Sequence, residues 1–135
     1  MVTKSKNLGK IGEEIAVNYL KKEKKYKILE RNFRYKNFGE IDIIAQNKRN
    51  KEKPIIFVEV KTRNINSSFS RTEYFPEDNI TYFKRKQLIK LSRLYLGKNN
   101  LLALPYQIDI IGVVVSSSTN RYKVQHLEQA IEDIN

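Results

Sequence analysis

The residues best suited to chemistry are carboxylates and a lysine set into apolar strands. Residues 54–63 read PIIFVEVKTR, a run apolar enough to be buried on both faces, yet it carries Glu59 and Lys61 in its midst. Strand alternation places Glu59 and Lys61 on one face and Val58 and Val60 on the other. The preceding apolar stretch, GEIDIIAQ over 39–46, repeats the anomaly, because Glu40 and Asp42 share a face and interrupt Ile41, Ile43 and Ile44. A charge buried in such a strand costs on the order of several kcal/mol unless it is paired or bound to an ion. Two neighbouring strands therefore each offer a carboxylate to a common side, where the two repel unless a cation or a proton intervenes. A hard divalent ion such as magnesium or manganese takes oxygen ligands and keeps waters and substrate phosphate in its shell. Lys61 is then placed to orient or activate an attacking water and to stabilise negative charge on a phosphate. The plainer reading of an acid-x-Lys triplet is an ion-pair network of structural value. A second strand with an embedded Asp makes the pattern more specific than that.

Several elements must position these groups. Leu8, Ile11, Ile15 and Tyr19 recur at helical spacing, widened by Ala16 and Leu20, and predict a helix over about 8–24 with Asn7 as its N-cap. Residues 26–35 (YKILERNFRY) and 39–46 read as strands joined by the turn Lys36-Asn37-Phe38-Gly39. The polar stretch 47–53 is a loop, and Pro54 opens the buried strand. Residues 64–80, rich in Asn and Ser, form a long loop. A second helix is expected over 81–97, with Leu88, Leu91, Leu94 and Tyr95 inward and Gly97 near its C-cap. Strands follow at 105–116 and 121–126, then a short C-terminal helix from 127. The order suggests an α/β fold, a mixed central β-sheet flanked by helices.

The chain has 135 residues, which fits one domain over 1–135 with a real core. Apolar residues make up 40% and charged residues 30%, excluding a disordered tail, and no apolar run approaches the ~20 residues that span a bilayer. MVTKSKNLGK lacks the apolar stretch of a signal peptide. Zero cysteines exclude a disulfide scaffold, a thiolate zinc site and a cysteine nucleophile. The expected location is cytoplasmic, away from membranes. Lys and Arg number 26 against 15 Asp and Glu, a net charge of +11, which favours polyanions and nucleic acid first among them.

Taken together, the motifs resemble the PD-(D/E)xK nuclease core, in which Asp42 is followed by Glu59-Val60-Lys61. The fuller pattern is similar to the YraN family of small bacterial proteins, whose fold is similar to archaeal Holliday-junction resolvases. The matching pieces are Gly9-Lys10-Ile11-Gly12-Glu13 with Ala16, Arg31-Asn32 with Arg34, and Gly39-Glu40-Ile41-Asp42-Ile43-Ile44. They continue with Phe57-Val58-Glu59-Val60-Lys61-Thr62-Arg63 and Lys84. The resemblance covers roughly 8–116 and implies a three-layer restriction-endonuclease-like fold. It also implies magnesium- or manganese-dependent hydrolysis of phosphodiesters in DNA, with branched or flapped structures the substrates to consider. Asp42 and Glu59 would be metal ligands, with the Val60 carbonyl a further one, Lys61 the catalytic lysine and Glu13 a neighbouring carboxylate. The sequence departs from the family at Gln107-Ile108-Asp109, where members carry Arg-Phe-Asp, and in a longer segment over 64–80. Asp109 is accordingly expected to be structural. The other class of function is a basic nucleic-acid-binding or adaptor domain that keeps the fold without the chemistry.

Basic residues gather near these motifs. Lys84, Arg85, Lys86, Lys90 and Arg93 lie on the second helix, and Arg31, Arg34, Lys36 and Arg63 on the strands. Aromatics are interleaved with them, a mixture suited to phosphate contacts and base stacking. Arg34, Arg63, Lys84, Lys86 and Lys90 are the expected nucleic-acid contacts. Gly9-Lys10-Ile11-Gly12 superficially matches a KH-domain loop but has no room for the helix that must precede it, so close backbone packing is expected of these glycines instead. His126 is expected to be structural, and Ser116–Ser118 has no triad partner. No symmetric face is evident, and a homodimer stays open.

Overall fold

The computed structural model describes residues 5–65 and 80–133. The chain runs α1 (Ser5–Lys22), β1 (Lys27–Arg34), β2 (Glu40–Gln46), β3 (Ile55–Ile65), α2 (Tyr82–Lys98), β4 (Tyr106–Ser116) and β5 (Arg121–Ile131). One five-stranded sheet has the order β1-β2-β3-β4-β5. Only β3 and β4 are parallel, and that pair needs the crossover that α2 supplies. The result is the expected α/β arrangement of a mixed sheet flanked by helices.

Each face of the sheet carries its own core. Leu88, Leu91, Tyr95 and Leu96 of α2 pack on Phe33, Ile41, Ile44, Phe57, Ile108 and Ile110. Ala16, Val17 and Leu20 of α1 pack on Ile43, Ala45, Ile56, Val58, Ile111 and Val113. β3 and β4 supply residues to both layers, which explains their nearly unbroken apolar runs. Thr81 caps α2 by accepting the Lys84 N–H at 3.1 Å. Asp133 receives both Arg93 of α2 and the Tyr106 hydroxyl, fastening the far end of that helix to β4.

Three expectations are corrected. α1 begins at Ser5, so Asn7 lies inside the helix and is no cap, and the buried stripe is Ala16, Val17 and Leu20. Residues 64 and 65 extend β3, while 66–79, with the aromatics Phe69, Tyr74 and Phe75, lie outside the described residues. No C-terminal helix follows residue 127, since β5 continues to Ile131. Leu127 pairs with Ile110 and Ile131 with Ile108, with a register shift between them and Gln129 at φ 52°. The bulge puts Leu127 and Ile131 against the α2-side core at a spacing of four, which imitates helical periodicity in the sequence.

Candidate active site

The site forms where two strands part. β2 and β3 are in register only from Ile43↔Val58 to Gln46↔Ile55. Ile41 joins the α2-side core and Ile43 the α1-side core. On a regular strand residues two apart share a face, so alternation breaks between them, at Asp42. The parting strands would leave the Val60 N–H without a ladder partner, and Asp42 Oδ2 accepts it at 2.8 Å. Asp42 thereby closes the crotch of a fork whose other prong carries Glu59.

Carboxylates converge on this fork from three directions. Glu59 is only 6% exposed and sits 3.8 Å from Lys61 Nζ and 3.7 Å from Lys84 Nζ. Alternation along β3 thus aims Glu59 and Lys61 at the α2 side, where Lys84 in the first turn of that helix meets them. Glu13 arrives from α1. Its neighbour Gly12 sets the approach, because a Cβ there would stand 1.8 Å from Thr62 Oγ1 on β3. This is the close packing expected of the glycine pair, although Gly9 has open space around it. Glu40 enters from β2, held by Arg34 at 2.8 Å. Oxygen atoms of Glu13, Glu40 and Asp42 lie within 4.8 Å of one another, a spacing that could hold a metal ion.

Glu40 is the residue that sequence reasoning left without a role, and Asn32 is its companion. The Asn32 side-chain amide donates to Glu40 Oε2 at 2.6 Å and to Glu13 Oε1 at 3.2 Å, bridging β2 and α1. Asn32 adopts φ 54° in the middle of β1, a left-handed conformation that Asn tolerates better than most residues. An Asn inside a strand, where its propensity is poor, was the available signal.

Like charges held out of water shift their titration. Asp42 is pushed up to about 8, first by burial and then by Glu59, with Glu13 and Glu40 adding to it and the Val60 N–H opposing it. Burial also raises Glu59, against the pull of Lys84 and Lys61. At neutral pH the metal-free fork holds a proton that a cation would displace.

A model of the uncharacterised protein family UPF0102 matches residues 12–113. The chain belongs to UPF0102, the YraN family. Relatives in it include a UPF0102 protein of Geotalea uraniireducens, 39% identical with 95% of this chain and 91% of the relative covered. Another, from Clostridioides difficile, is 45% identical over 81% of this chain and 86% of its own. Every carboxylate of the fork, with Lys61 and Lys84, falls inside the span that the UPF0102 model matches. Among solved structures, Pyrococcus furiosus SfsA in complex with Ca2+ is 17% identical at a TM-score of 0.41, covering 98% of this chain and 67% of that one.

The expected nucleic-acid contacts separate into groups. Arg34 and Lys84 border the fork through Glu40 and Glu59, and Arg63 follows on the same face of β3. Lys90 lies against Phe38 in the β1–β2 turn, with its Nζ 3.8 Å from the ring centroid. Lys86 is further off, over Tyr82 on the β5 side of α2. Asp109 and His126 are not part of the fork. Asp109 is fully buried, bonds His126 Nε2 at 2.7 Å, and accepts the Gln129 N–H and the Gln107 amide. His126 Nδ1 is 3.0 Å from the Tyr19 hydroxyl. The pair ties β4, β5 and α1 together, the structural role expected of both. No helix among the described residues is long and apolar enough to cross a membrane.

Proposed function

We propose that this chain is a single nuclease-like domain that hydrolyses phosphodiester bonds in DNA with a divalent metal, magnesium or manganese. One observation carries the reading. In a structural ion-pair network each carboxylate meets a cation, whereas among the described residues the cations at this fork fall on Glu40 and Glu59. Among the described residues, Asp42 meets the Val60 N–H and the carboxyl of Glu59, and Glu13 meets a neutral amide. A proton and neutral donors thus stand where a bound cation would supply positive charge to several carboxylates at once.

The donors are all hard oxygens, which suits magnesium or manganese and excludes a soft metal. Asp42 would hold the ion, with Glu59 and the Val60 carbonyl on the β3 side and with Glu13 and Glu40, whose oxygens lie within 4.8 Å of its own, on the other. When bound, the ion supplies Lewis acidity and positive charge beside the scissile phosphate. Lys61, anchored beside Glu59, donates a hydrogen bond to the attacking water or to a phosphate oxygen where charge develops. Lys84 draws the phosphate in and opposes the burial that raises Glu59. Arg34 and Arg63 meet the flanking backbone. The deciding experiment incubates labelled linear, flapped and four-way-junction DNA with magnesium, manganese or chelator, beside Glu59→Gln. Metal-dependent cleavage that the variant loses supports the proposal. Binding without cleavage under either metal would overturn it in favour of a basic adaptor domain.

A further inference from the structure

Among the described residues, Tyr82, Phe83, Leu102 and Tyr122 are the large apolar side chains that stand in solvent. The first two are adjacent, at the head of α2, 74% and 73% exposed. The next residue, Lys84, reaches Glu59 at 3.7 Å. A solitary exposed ring needs no explanation, but two together beside the lysine of a carboxylate site do.

Phe83 heads a line at helical spacing with Gln87 and Lys90. Gln87 lies against Gly39, and Lys90 Nζ is 3.8 Å from the centre of the Phe38 ring. The line continues into the β1–β2 turn, where Tyr35 stacks beside Phe38 at 6.0 Å and Lys36 Nζ lies 5.4 Å from the Tyr35 ring. Phe38 and Tyr35 are half-buried and hold two ammonium groups in place. Phe83 instead offers its ring to solvent, and beside it Tyr82, equally exposed, carries Lys86 Nζ 5.5 Å from its ring centre. Two residues beyond Phe38 the chain reaches Glu40, so the strip ends at the fork.

Resting on the function proposed above, we infer that this strip binds an unpaired nucleic-acid strand. Tyr82 and Phe83 stack on its bases, Lys36 and Lys90 hold its phosphates, and the fork receives a phosphodiester next to a single-stranded segment. Bases inside a duplex show no free face to these rings, while unpaired bases do.

The test measures binding in chelator, so that it stands apart from cleavage. Probes are fluorescent oligo(dT), oligo(U) and a mixed-sequence duplex of equal length, at matched salt. The wild type is expected to prefer a single strand over the duplex, the two sugars showing which strand is taken. Phe83→Ala with Tyr82→Ala should lower single-strand affinity at least tenfold and leave duplex affinity within twofold. Phe83→Trp should retain single-strand binding. Both rings are exposed, so the variants should fold, with melting as the check. Equal loss on both probes, or no loss on either, would overturn the inference. Loss of cleavage with intact single-strand preference would count against the nuclease reading alone.

Discussion

Replacing Asp42 by Asn isolates the electrostatic cost of the fork. The amide keeps an oxygen for the Val60 N–H and removes the charge. Asp42 titrates at about 8 in place of its ordinary 3.8, so the fold prefers its neutral carboxyl. Stability is therefore complete below the ordinary value and declines as pH rises toward 8. At ~1.4 kcal/mol per tenfold in acidity, the full displacement is worth at most ~6 kcal/mol above pH 8. Relaxation and water entry around a partly open site reduce this to about half, or ~3 kcal/mol. For a domain of this size ~1 kcal/mol moves the melting temperature by about 4 °C. In chelator, the wild type should therefore lose roughly 10 °C between pH 5 and pH 8.5 relative to Asp42→Asn, measured by circular dichroism. Groups that do not interact with Asp42 cancel in that difference. Magnesium should restore the wild type at pH 8 and leave the variant unmoved. A difference that stays flat with pH, or a variant less stable than wild type at pH 8, would refute the reasoning.

Other consequences are more local. Gly12→Ala drives a methyl group into Thr62 and should cost about 1–3 kcal/mol by thermal melting. The folded fraction should also lose cleavage, because Glu13 moves with the helix. Lys61→Ala should reduce cleavage by at least ~100-fold in single-turnover assays, with oligonucleotide binding changed by less than about tenfold at fixed salt. Asp109→Ala leaves His126, the Gln129 N–H and the Gln107 amide without their buried acceptor. It should destabilise by about 2–4 kcal/mol in urea, with the cleavage rate of the folded protein unchanged.

Strand alternation and apolar periodicity made the sheet legible, because both cores demand apolar residues at intervals the chain displays. The carboxylates of β2 and β3 stood out for the same reason, as charges in segments that should be buried. Other features depended on geometry the sequence does not encode locally. The β5 bulge disguises a strand as a helix, since Leu127 and Ile131 reach one core at a helical interval. Glu40 gained its place through Asn32, whose left-handed backbone aims one amide at two carboxylates from different elements. Alternation alone put Glu40 beside Asp42, but nothing in it pointed to Glu13 sharing that bridge.

The two glycines of the site argue that the fork is held open by its surroundings. Gly12 lets α1 touch β3 at Thr62 on one face of the sheet. Gly39, at φ 99° with Gln87 of α2 against it, fixes the turn into β2 near the opposite face. A side chain at Gly12 would push α1 away, and an L-residue at Gly39 would strain the turn. Each change would separate one pair of carboxylates, Glu13 from Asp42 in the first case and Glu40 from Asp42 in the second. Relaxation of that kind would relieve repulsion in the metal-free protein. The fold instead commits both helices, packed by separate cores, to keeping like charges close. Carboxylates braced in this way fit the proposed metal site. Loosening either brace, though it lowers overall stability, should flatten the alkaline loss of stability in chelator and weaken the hold on magnesium, both read by melting against pH and metal.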